Sequence, residues 1–216
     1  MENYTYGIEI KQLEKKFGVT KVLDGIELKC KRGSITGIIG YNGCGKSVLF
    51  KCIAGLLIPD KGQIFVRGIE KRNTDIITNA GIIIEEPFFL PHKSGYQNLM
   101  LLYTINNKKN KDCIYQIMNK VGLNPRDKKK VAKYSLGMKQ RLAIAQASME
   151  NQDILILDEP FNGLDKKGIE EMREFFLEMK LANKTILLAS HNIMDIKILC
   201  DNVYEIENGK LIFSDF

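Results

Sequence analysis

The chain has 216 residues, of which 44% are hydrophobic and 27% are charged, and its formal net charge is +6. This length and composition can bury a substantial core and fit one globular α/β domain over residues 1–216. No stretch approaches the roughly 18 apolar residues of a membrane-spanning helix, and residues 1–20 carry Glu2, Glu9 and Glu14 instead of the apolar core of a signal peptide. We therefore expect a cytoplasmic chain.

The first predicted elements form a hairpin and then a strand, a loop and a helix. Strand-like alternation over residues 4–13 and 21–28 is broken by Phe17-Gly18, which predicts an antiparallel layer at the N-terminus. A short apolar run at residues 34–39 leads into a glycine-rich loop, and helical periodicity follows from residue 46 to 54.

Further along, short apolar runs alternate with helical patterns. The runs are residues 82–84, 154–158 and 185–190, and the helical patterns are residues 138–149, 168–181 and 193–200. That alternation predicts a mostly parallel sheet covered by helices. Residues 94–133 contain no strand candidate, so we expect a helical subdomain, at about residues 94–150, inserted between two strands. Residues 202–213, with a turn at 207–209, predict a closing hairpin.

Positive charge is concentrated in one segment of the chain. Residues 108–133 contain nine Lys or Arg and two acidic residues. Such a run is typical of a solvated helical face, and the alternative is a surface near anionic lipid headgroups or nucleic acid. Nucleic acid is disfavoured because Tyr115 is the only aromatic residue among the basic ones.

The chain contains five cysteines, an odd number without the spacing of metal ligands. Their surroundings are typical of core or loop positions: Cys30, Cys44, Cys52, Cys113 and Cys200. We therefore expect reduced thiols.

The glycine-rich loop at residues 40–47 has the pattern of a phosphate-binding loop. Its glycines let backbone N–H groups converge on phosphates, where a Cβ would obstruct the approach. Lys46 adds a positive charge, the Ser47 hydroxyl can ligate Mg²⁺, and the following helix directs its dipole at the same anion. An ordinary glycine-rich turn is disfavoured by the flanking strand and helix. The predicted nucleotide contacts in this loop are Gly40, Tyr41, Asn42, Gly43, Cys44, Gly45, Lys46, Ser47 and Val48.

Two acidic residues follow a buried strand. Four apolar residues precede Asp158 and place it at the carboxyl end of a parallel strand, where open α/β sheets bind ligands. There Asp158 can hold Mg²⁺ through water, and Glu159 is positioned to polarise the attacking water as a general base. A strand that merely ends in an acidic turn is disfavoured by the neighbouring phosphate loop.

Four segments, in this order, resemble the nucleotide-binding subunits of ATP-binding-cassette (ABC) transporters over nearly the whole chain. They are residues 40–47 (GYNGCGKS), 134–140 (YSLGMKQ), 154–160 (ILILDEP) and 190–191 (SH). The resemblance implies an α/β fold of the P-loop NTPase, ABC ATPase type, with a mostly parallel core sheet, an N-terminal antiparallel β layer and an inserted helical subdomain. It also implies ATP, Mg²⁺ and ATP hydrolysis coupled to transport.

The resemblance assigns further residues to the site. His191 matches the family's switch histidine, which contacts the γ-phosphate, whereas the other histidine, His92, has no partner that the sequence names. Ser135 and Gly137 match the signature loop that caps the γ-phosphate bound by the opposite subunit. A homodimer, or a heterodimer with a second ATPase subunit, is therefore implied. Phe17 resembles the aromatic residue that stacks on adenine, and the alternative is a core strand residue.

Several positions differ from the family pattern. Val48 stands where Thr is common, which removes a hydroxyl contact to the α-phosphate, and Leu136 and Met138 replace the commoner Gly and Gln of the signature loop. Glu85, four residues after Gly81, stands where most members have Gln. The predicted catalytic residues are Lys46, Glu159 and His191, and the predicted metal ligands are Ser47, Glu85 and Asp158.

The segment at residues 85–89 (EEPFF) looks like the variant loop of the subgroup that exports, or confers immunity to, bacitracin and lantibiotic peptides. The family's Gln lies at the interface with the transmembrane subunits, so we expect Glu85 to keep a metal contact and to add a charge that pairs with a basic group on that partner. The loop at residues 162–165 (NGLD) resembles the family loop whose Asp contacts the partner ATPase subunit.

These observations predict the ATPase subunit of an exporter of a peptide antibiotic, bound to the inner face of the membrane through separate transmembrane permease subunits. A soluble ABC ATPase acting on nucleic acid or ribosomes is disfavoured, because such proteins carry two cassettes or a long coiled coil, and no specific nucleic acid partner is expected. A regulator without hydrolysis is disfavoured because Asp158 and Glu159 are both present. A transporter for another substrate stays open, since specificity resides in the membrane subunits.

Overall fold

The structure is a computed structural model that describes residues 4–72 and 74–214. Residues 1–3, which include Glu2, and residues 215–216 of the predicted 1–216 domain lie outside the described ranges. The described elements, in chain order, are β1 (Tyr6–Phe17), β2 (Thr20–Lys31), β3 (Ile35–Ile39), α1 (Lys46–Ala54), β4 (Lys61–Val66), β5 (Ile69–Lys71), β6 (Ala80–Ile83), α2 (Gly95–Asn106), α3 (Lys111–Lys120), α4 (Leu136–Ser148), β7 (Ile154–Asp158), α5 (Lys166–Leu181), β8 (Thr185–Ala189), α6 (Ile193–Leu199), β9 (Asn202–Glu207) and β10 (Lys210–Phe213).

The N-terminal strands form an antiparallel sheet in the order β2-β1-β4-β5. The predicted hairpin is confirmed: Phe17 pairs with Thr20, and Gly18 takes a φ of +57° in the turn between them. Strands β4 and β5 were not predicted from the sequence. They complete the layer by pairing β4 with β1 and β5 with β4.

A second sheet has the order β10-β9-β3-β8-β7-β6, and its neighbouring strands are parallel except for the closing β9–β10 hairpin. Strands β3 and β8 are buried at every position. Because parallel strands point the same way, the carboxyl ends of β3, β7 and β8 meet at one edge of the sheet. The mostly parallel sheet predicted from the sequence is therefore confirmed.

Both faces of this sheet are covered. On β7, Leu155 and Leu157 pack into a core shared with α2 to α6, whereas Ile154 and Ile156 pack into a second core shared with α1 and the antiparallel sheet. This two-sided burial explains why these strands read as continuous apolar runs rather than as alternating ones.

Helices α2, α3 and α4 lie between β6 and β7 in the chain, in the segment where the sequence predicted helices alone. Helix α2 begins with a capping box in which Ser94 and Gln97 bond reciprocally. Helix α4 packs closely on β6, since a Cβ at Gly81 would lie 1.8 Å from the Ala147 carbonyl oxygen. Glycine at this position therefore sets the distance between the inserted helices and the sheet.

No helix in the described ranges is long and apolar enough to span a membrane. All five cysteines are free thiols, as predicted. Burial raises the pKa of Cys30 to about 12, of Cys52 to about 11 and of Cys200 to about 12. These three thiols therefore stay protonated at neutral pH.

Candidate nucleotide-binding site

The phosphate loop connects β3 to α1 and depends on glycine for its shape. Gly40, Gly43 and Gly45 have φ values of +148°, +82° and +114°, which side chains rarely allow. At Gly40 a Cβ would also lie 2.9 Å from the Ile206 carbonyl oxygen, whereas at Gly43 it would meet nothing within 4 Å. The loop thus needs glycine for backbone conformation at each position and for close packing at Gly40 and Gly45.

Lys46 folds back across this loop. Its Nζ donates hydrogen bonds to the Gly40 carbonyl oxygen at 2.7 Å and to the Tyr41 carbonyl oxygen at 3.1 Å. The side chain is buried, so its charge is held at the start of α1 beside the helix N-terminus. A cation and a helix dipole there both favour a bound phosphate.

Two oxygen ligands suited to a metal lie together at the edge of the sheet. The Ser47 hydroxyl donates a hydrogen bond to Asp158 Oδ2, although the residues are 111 positions apart. Hydroxyl and carboxylate oxygens match the preference of Mg²⁺, which is usually held by few protein ligands together with phosphates and water. The described residues contain no group of three or more His, Cys, Asp or Glu that could hold a metal ion by themselves.

Glu159 and His191 are in direct contact. Glu159 Oε2 lies 2.8 Å from His191 Nδ1 and also accepts a hydrogen bond from the His191 backbone N–H at 3.3 Å. The Glu159 backbone has a φ of +49° and donates to the Ala189 carbonyl oxygen at 2.9 Å. The adjacent ends of β7 and β8 therefore hold these two side chains against each other, a contact that the sequence did not predict.

These residues surround one cleft of about 740 Å³, within the range of about 300 to 1,000 Å³ that is common for ligand sites. Predicted site residues that line it are Asn42, Gly43, Gly45, Lys46, Ser47, Val48, Glu85, Asp158 and Glu159. Predicted site residues outside its lining are Phe17, Gly40, Tyr41, Cys44, Ser135, Gly137 and His191. His191 lies next to the site because it contacts Glu159. Gly40 and Tyr41 lie next to it because their carbonyl oxygens accept hydrogen bonds from Lys46.

Glu85 lines the cleft, but its carboxylate forms an ion pair with Lys51 on α1. We expected Glu85 to pair with a basic group on another subunit, but in this structure it pairs with a lysine of its own chain. Glu85 has a φ of +64°, and its side chain is 65% exposed. In the described structure Glu85 contacts Lys51, whereas the other two predicted metal ligands, Ser47 and Asp158, contact each other.

The signature segment opens α4 beside the loop that follows Glu159. Ser135 caps the helix by accepting a hydrogen bond from the Met138 backbone N–H at 3.2 Å. Leu136 packs on Gly163, where a Cβ would lie 2.4 Å from Leu136 Cγ. Of these residues, Leu136 lines the cleft of its own chain, whereas Ser135 and Gly137 do not.

Sequence reasoning did not assign to the site seven further residues that line the cleft: Glu86, Pro87, Leu136, Lys139, Gln140, Asn162 and Gly163. The buried Gln140 side chain donates from Nε2 to the Pro160 carbonyl oxygen at 3.0 Å. This bond ties the first turns of α4 to the turn after Glu159. The only sequence signal for the seven missed residues was their position within the segments at residues 85–89, 134–140 and 162–165.

Phe17 lies at the end of β1, with half of its surface exposed and Lys15 Nζ 5.6 Å from its ring centroid. A core strand aromatic, the alternative raised by the sequence, does not fit this exposure. The hairpin that carries Phe17 approaches the phosphate loop, since a Cβ at Gly45 would lie 3.1 Å from Val22 Cγ1.

The two-faced α/β sheet, the phosphate loop and the acidic strand end together define an ABC ATPase cassette. Residues 23–162 match the family described as ABC transporter, and the chain belongs to this family.

Relatives with curated descriptions support the same assignment. The chain is 40% identical over 96% of its length to the uncharacterised ABC transporter ATP-binding protein YybJ of Bacillus subtilis, of which it covers 96%. It is 39% identical, over 95% of its length and 68% of the relative, to the bacitracin transport ATP-binding protein BcrA of Bacillus licheniformis. It is 37% identical, over 95% of its length and 89% of the relative, to the lantibiotic transport ATP-binding protein SrtF of Streptococcus pyogenes.

Solved structures confirm the predicted fold class. An ATP-binding subunit of an ABC transporter has a TM-score of 0.85 and 28% identity, with 94% of this chain and 87% of that one covered. The dimeric structure of MJ0796, a bacterial ABC transporter cassette, has a TM-score of 0.84 and 22% identity, with 94% and 96% covered.

Proposed function

We propose that this chain is the ATP-binding and ATP-hydrolysing subunit of an exporter that removes a peptide antibiotic of the bacitracin or lantibiotic type. The observation that carries the ATPase function is the convergence of the Lys46 loop, the Ser47–Asp158 pair and the Glu159–His191 pair at one cleft. The names of the relatives BcrA and SrtF, together with the segment at residues 85–89, support the substrate class.

The phosphate loop binds the triphosphate of ATP. Backbone N–H groups of residues 40–45 and the start of α1 meet the β- and γ-phosphates, and Lys46 exchanges its bonds to the loop carbonyls for phosphate oxygens. Ser47 and Asp158, which contact each other, would hold Mg²⁺, and the ion would supply positive charge beside the phosphates.

Glu159 is the general base. In the tautomer of His191 that carries its proton on Nδ1, this N–H donates a hydrogen bond to Glu159 Oε2 at 2.8 Å. With that oxygen engaged, Glu159 Oε1 is the oxygen that takes the proton from the attacking water. His191 thus orients the base; a contact of its Nε2 with a γ-phosphate oxygen needs a second proton, because the neutral ring that donates from Nδ1 has only a lone pair at Nε2.

The working unit is a dimer, either of two copies or with a second ATPase subunit. The support is that Ser135 and Gly137 lie outside the cleft of their own chain, at the exposed start of α4, where they are available to a nucleotide held by a partner. Phe17 contributes an exposed ring for adenine at the hairpin beside the phosphate loop. Asp165, which caps α5 through Gly168 N–H at 3.0 Å, contacts the partner subunit.

Transport occurs through separate transmembrane permease subunits, which hold this chain at the inner face of the membrane. The segment at residues 85–89 faces those subunits. The ion-paired Glu85 lines the nucleotide cleft, and Phe88 of the same segment is exposed, so that nucleotide state and subunit contact share one loop.

The test is to express the chain with its permease subunits in a sensitive host and to measure growth in bacitracin, in a lantibiotic and in an unrelated antibiotic. We expect resistance to one of the first two that disappears with Glu159→Gln. ATP hydrolysis without resistance to either peptide would overturn the substrate class alone. Failure of the purified chain to hydrolyse ATP, both alone and with its permease, would overturn the ATPase function.

A further inference from the structure

The inserted helices carry a group of lysines that no function described above uses. We name Lys93, Lys128, Lys129, Lys130 and Lys133 the lysine ridge. Backbone hydrogen bonds join its two parts: Val131 N–H donates to the Lys93 carbonyl oxygen at 2.9 Å, and Ala132 N–H donates to the Pro91 carbonyl oxygen at 3.0 Å. The ridge is therefore an ordered surface and not a loose charged tail.

The local backbone turns the lysines outward. Residues 131–133 form a 3₁₀ turn, in which side chains three positions apart lie on the same side. Val131 and Tyr134 are buried in the core, whereas Lys130 and Lys133, each one position earlier on the turn, are exposed. The core contacts thus fix which way the charges face.

The ridge charges have no acidic partners among the described residues. No ion pair there involves any of the five lysines, whereas Lys120 in the same basic segment pairs with Glu178 at 3.1 Å. The nearest carboxylate in sequence, that of Asp127, accepts a hydrogen bond from the Lys129 backbone N–H at 2.8 Å. The ridge therefore presents a net positive surface to solvent.

We propose that the lysine ridge binds the anionic headgroups of a lipid bilayer. Lysine is a compact charge on a flexible stem, which suits a diffuse, mobile layer of phosphates, whereas a specific carboxylate partner or a nucleic acid favours the rigid fork of arginine. Of the nine basic residues at residues 108–133, eight are lysines and one, the exposed Arg126, is an arginine. Base-stacking aromatic side chains, which single-stranded nucleic acid would use, are lacking among the residues of the ridge.

The position of the ridge agrees with this partner, and this step rests on the proposed function. Residues 91–94 directly follow the segment at residues 85–89, which we place against the membrane subunits. The ridge is thus close to the bilayer when the transporter is assembled. The lipid contact would add an electrostatic attachment to the one provided by the permease.

The test uses the full chain and vesicles of phosphatidylglycerol mixed with phosphatidylcholine, with pure phosphatidylcholine vesicles as the neutral surface. The ridge variant is the triple change Lys128→Gln, Lys130→Gln, Lys133→Gln. Its matched control is Lys108→Gln, Lys109→Gln, Lys111→Gln, which removes the same charge from the connection between α2 and α3 and from the start of α3. All six lysines are exposed, so both variants should keep the thermal unfolding midpoint and the ATPase rate of the parent.

We expect co-sedimentation with the anionic vesicles only, weakened as salt rises from about 0.05 M to about 0.5 M. Each lysine near an anionic surface contributes about fivefold in partitioning, so the ridge variant should lose on the order of a hundredfold and the control less than about fivefold. Equal losses in both variants, or no vesicle binding, would overturn the proposal, as would ridge-dependent binding of a single-stranded RNA without vesicle binding. Because ATPase activity is measured separately, these outcomes do not depend on the proposed catalytic roles.

Discussion

Glu85 and Lys51 form an ion pair across the rim of the nucleotide cleft. Lys51 is on α1, the helix that begins at the phosphate loop, and Glu85 is on the segment that we place against the membrane subunits. The pair therefore connects the helix next to the nucleotide with the loop next to the partner. Its exposure limits its value to stability to about 1 kcal/mol or less.

Glu85→Gln should change ATP hydrolysis by the isolated subunit by less than about tenfold, which corresponds to about 1.4 kcal/mol of barrier. The reason is that Glu85 pairs with Lys51 and is not the general base. Antibiotic resistance in cells with the whole transporter should fall more than hydrolysis does. Lys51→Gln, which breaks the same pair from the other side, should have the same pattern. If Glu85→Gln stops hydrolysis as completely as Glu159→Gln, the base has been assigned to the wrong residue.

Glu159→Gln should leave ATP binding intact and slow hydrolysis by about 10² to 10⁴-fold, the usual contribution of a general base. Bound ATP then persists and stabilises the dimer by mass action. Size-exclusion chromatography with saturating Mg-ATP should show a dimer for the variant and a smaller dimer fraction for the parent. A variant that stays monomeric, both alone and with a candidate partner subunit, would contradict the shared site.

His191→Ala should slow hydrolysis by about tenfold to a hundredfold, about 1.4 to 2.7 kcal/mol, while ATP affinity changes less. The imidazole is the only side chain that the described structure places in hydrogen-bonding contact with the Glu159 carboxylate. His92→Ala is the matched control, because it removes the other histidine, which is exposed and has no site contact. Equal rates for the two variants would show that His191 does not orient the base.

Lys46→Ala should weaken Mg-ATP binding by about ten- to a hundredfold or more, since a charged hydrogen-bond donor contributes about 1.5 to 3 kcal/mol. Isothermal titration calorimetry measures this directly. Lys51→Gln serves as the control, because it removes a lysine from the same helix outside the phosphate loop. An unchanged dissociation constant for Lys46→Ala would mean that the loop does not bind the phosphates.

The sequence predicted the parallel sheet well because its strands are short, apolar and bounded by turns. It missed β4 and β5 for the opposite reason. β4 has only Ile64 and Val66 buried, and β5 is a three-residue strand at the edge of the antiparallel sheet. Such short, half-exposed strands are formed by pairing with a neighbour, and their own residues give little periodic signal.

The site residues, like the strands, divide into those that the sequence predicted and those that it missed. The residues of each motif were predictable because the motif is recognised by the spacing of its own residues. The motifs then come together at the carboxyl edge of the parallel sheet. The contacts between motifs were not predictable, as the Glu159–His191 and Glu85–Lys51 pairs depend on how β7, β8 and α1 are arranged in space. Gln140 was missed because its bond to the Pro160 carbonyl oxygen is also of this kind.

The packing of Leu136 on Gly163 has a kinetic consequence for the proposed dimer. In that proposed dimer each chain would offer its signature segment to the nucleotide of the other, and that same segment rests on the turn that follows its own Glu159. A shift of this turn after hydrolysis in one site would move the cap of the second site. The two ATP molecules should therefore be hydrolysed cooperatively, with a Hill coefficient above one, and enlarging Gly163 should uncouple the sites before it prevents either from binding ATP.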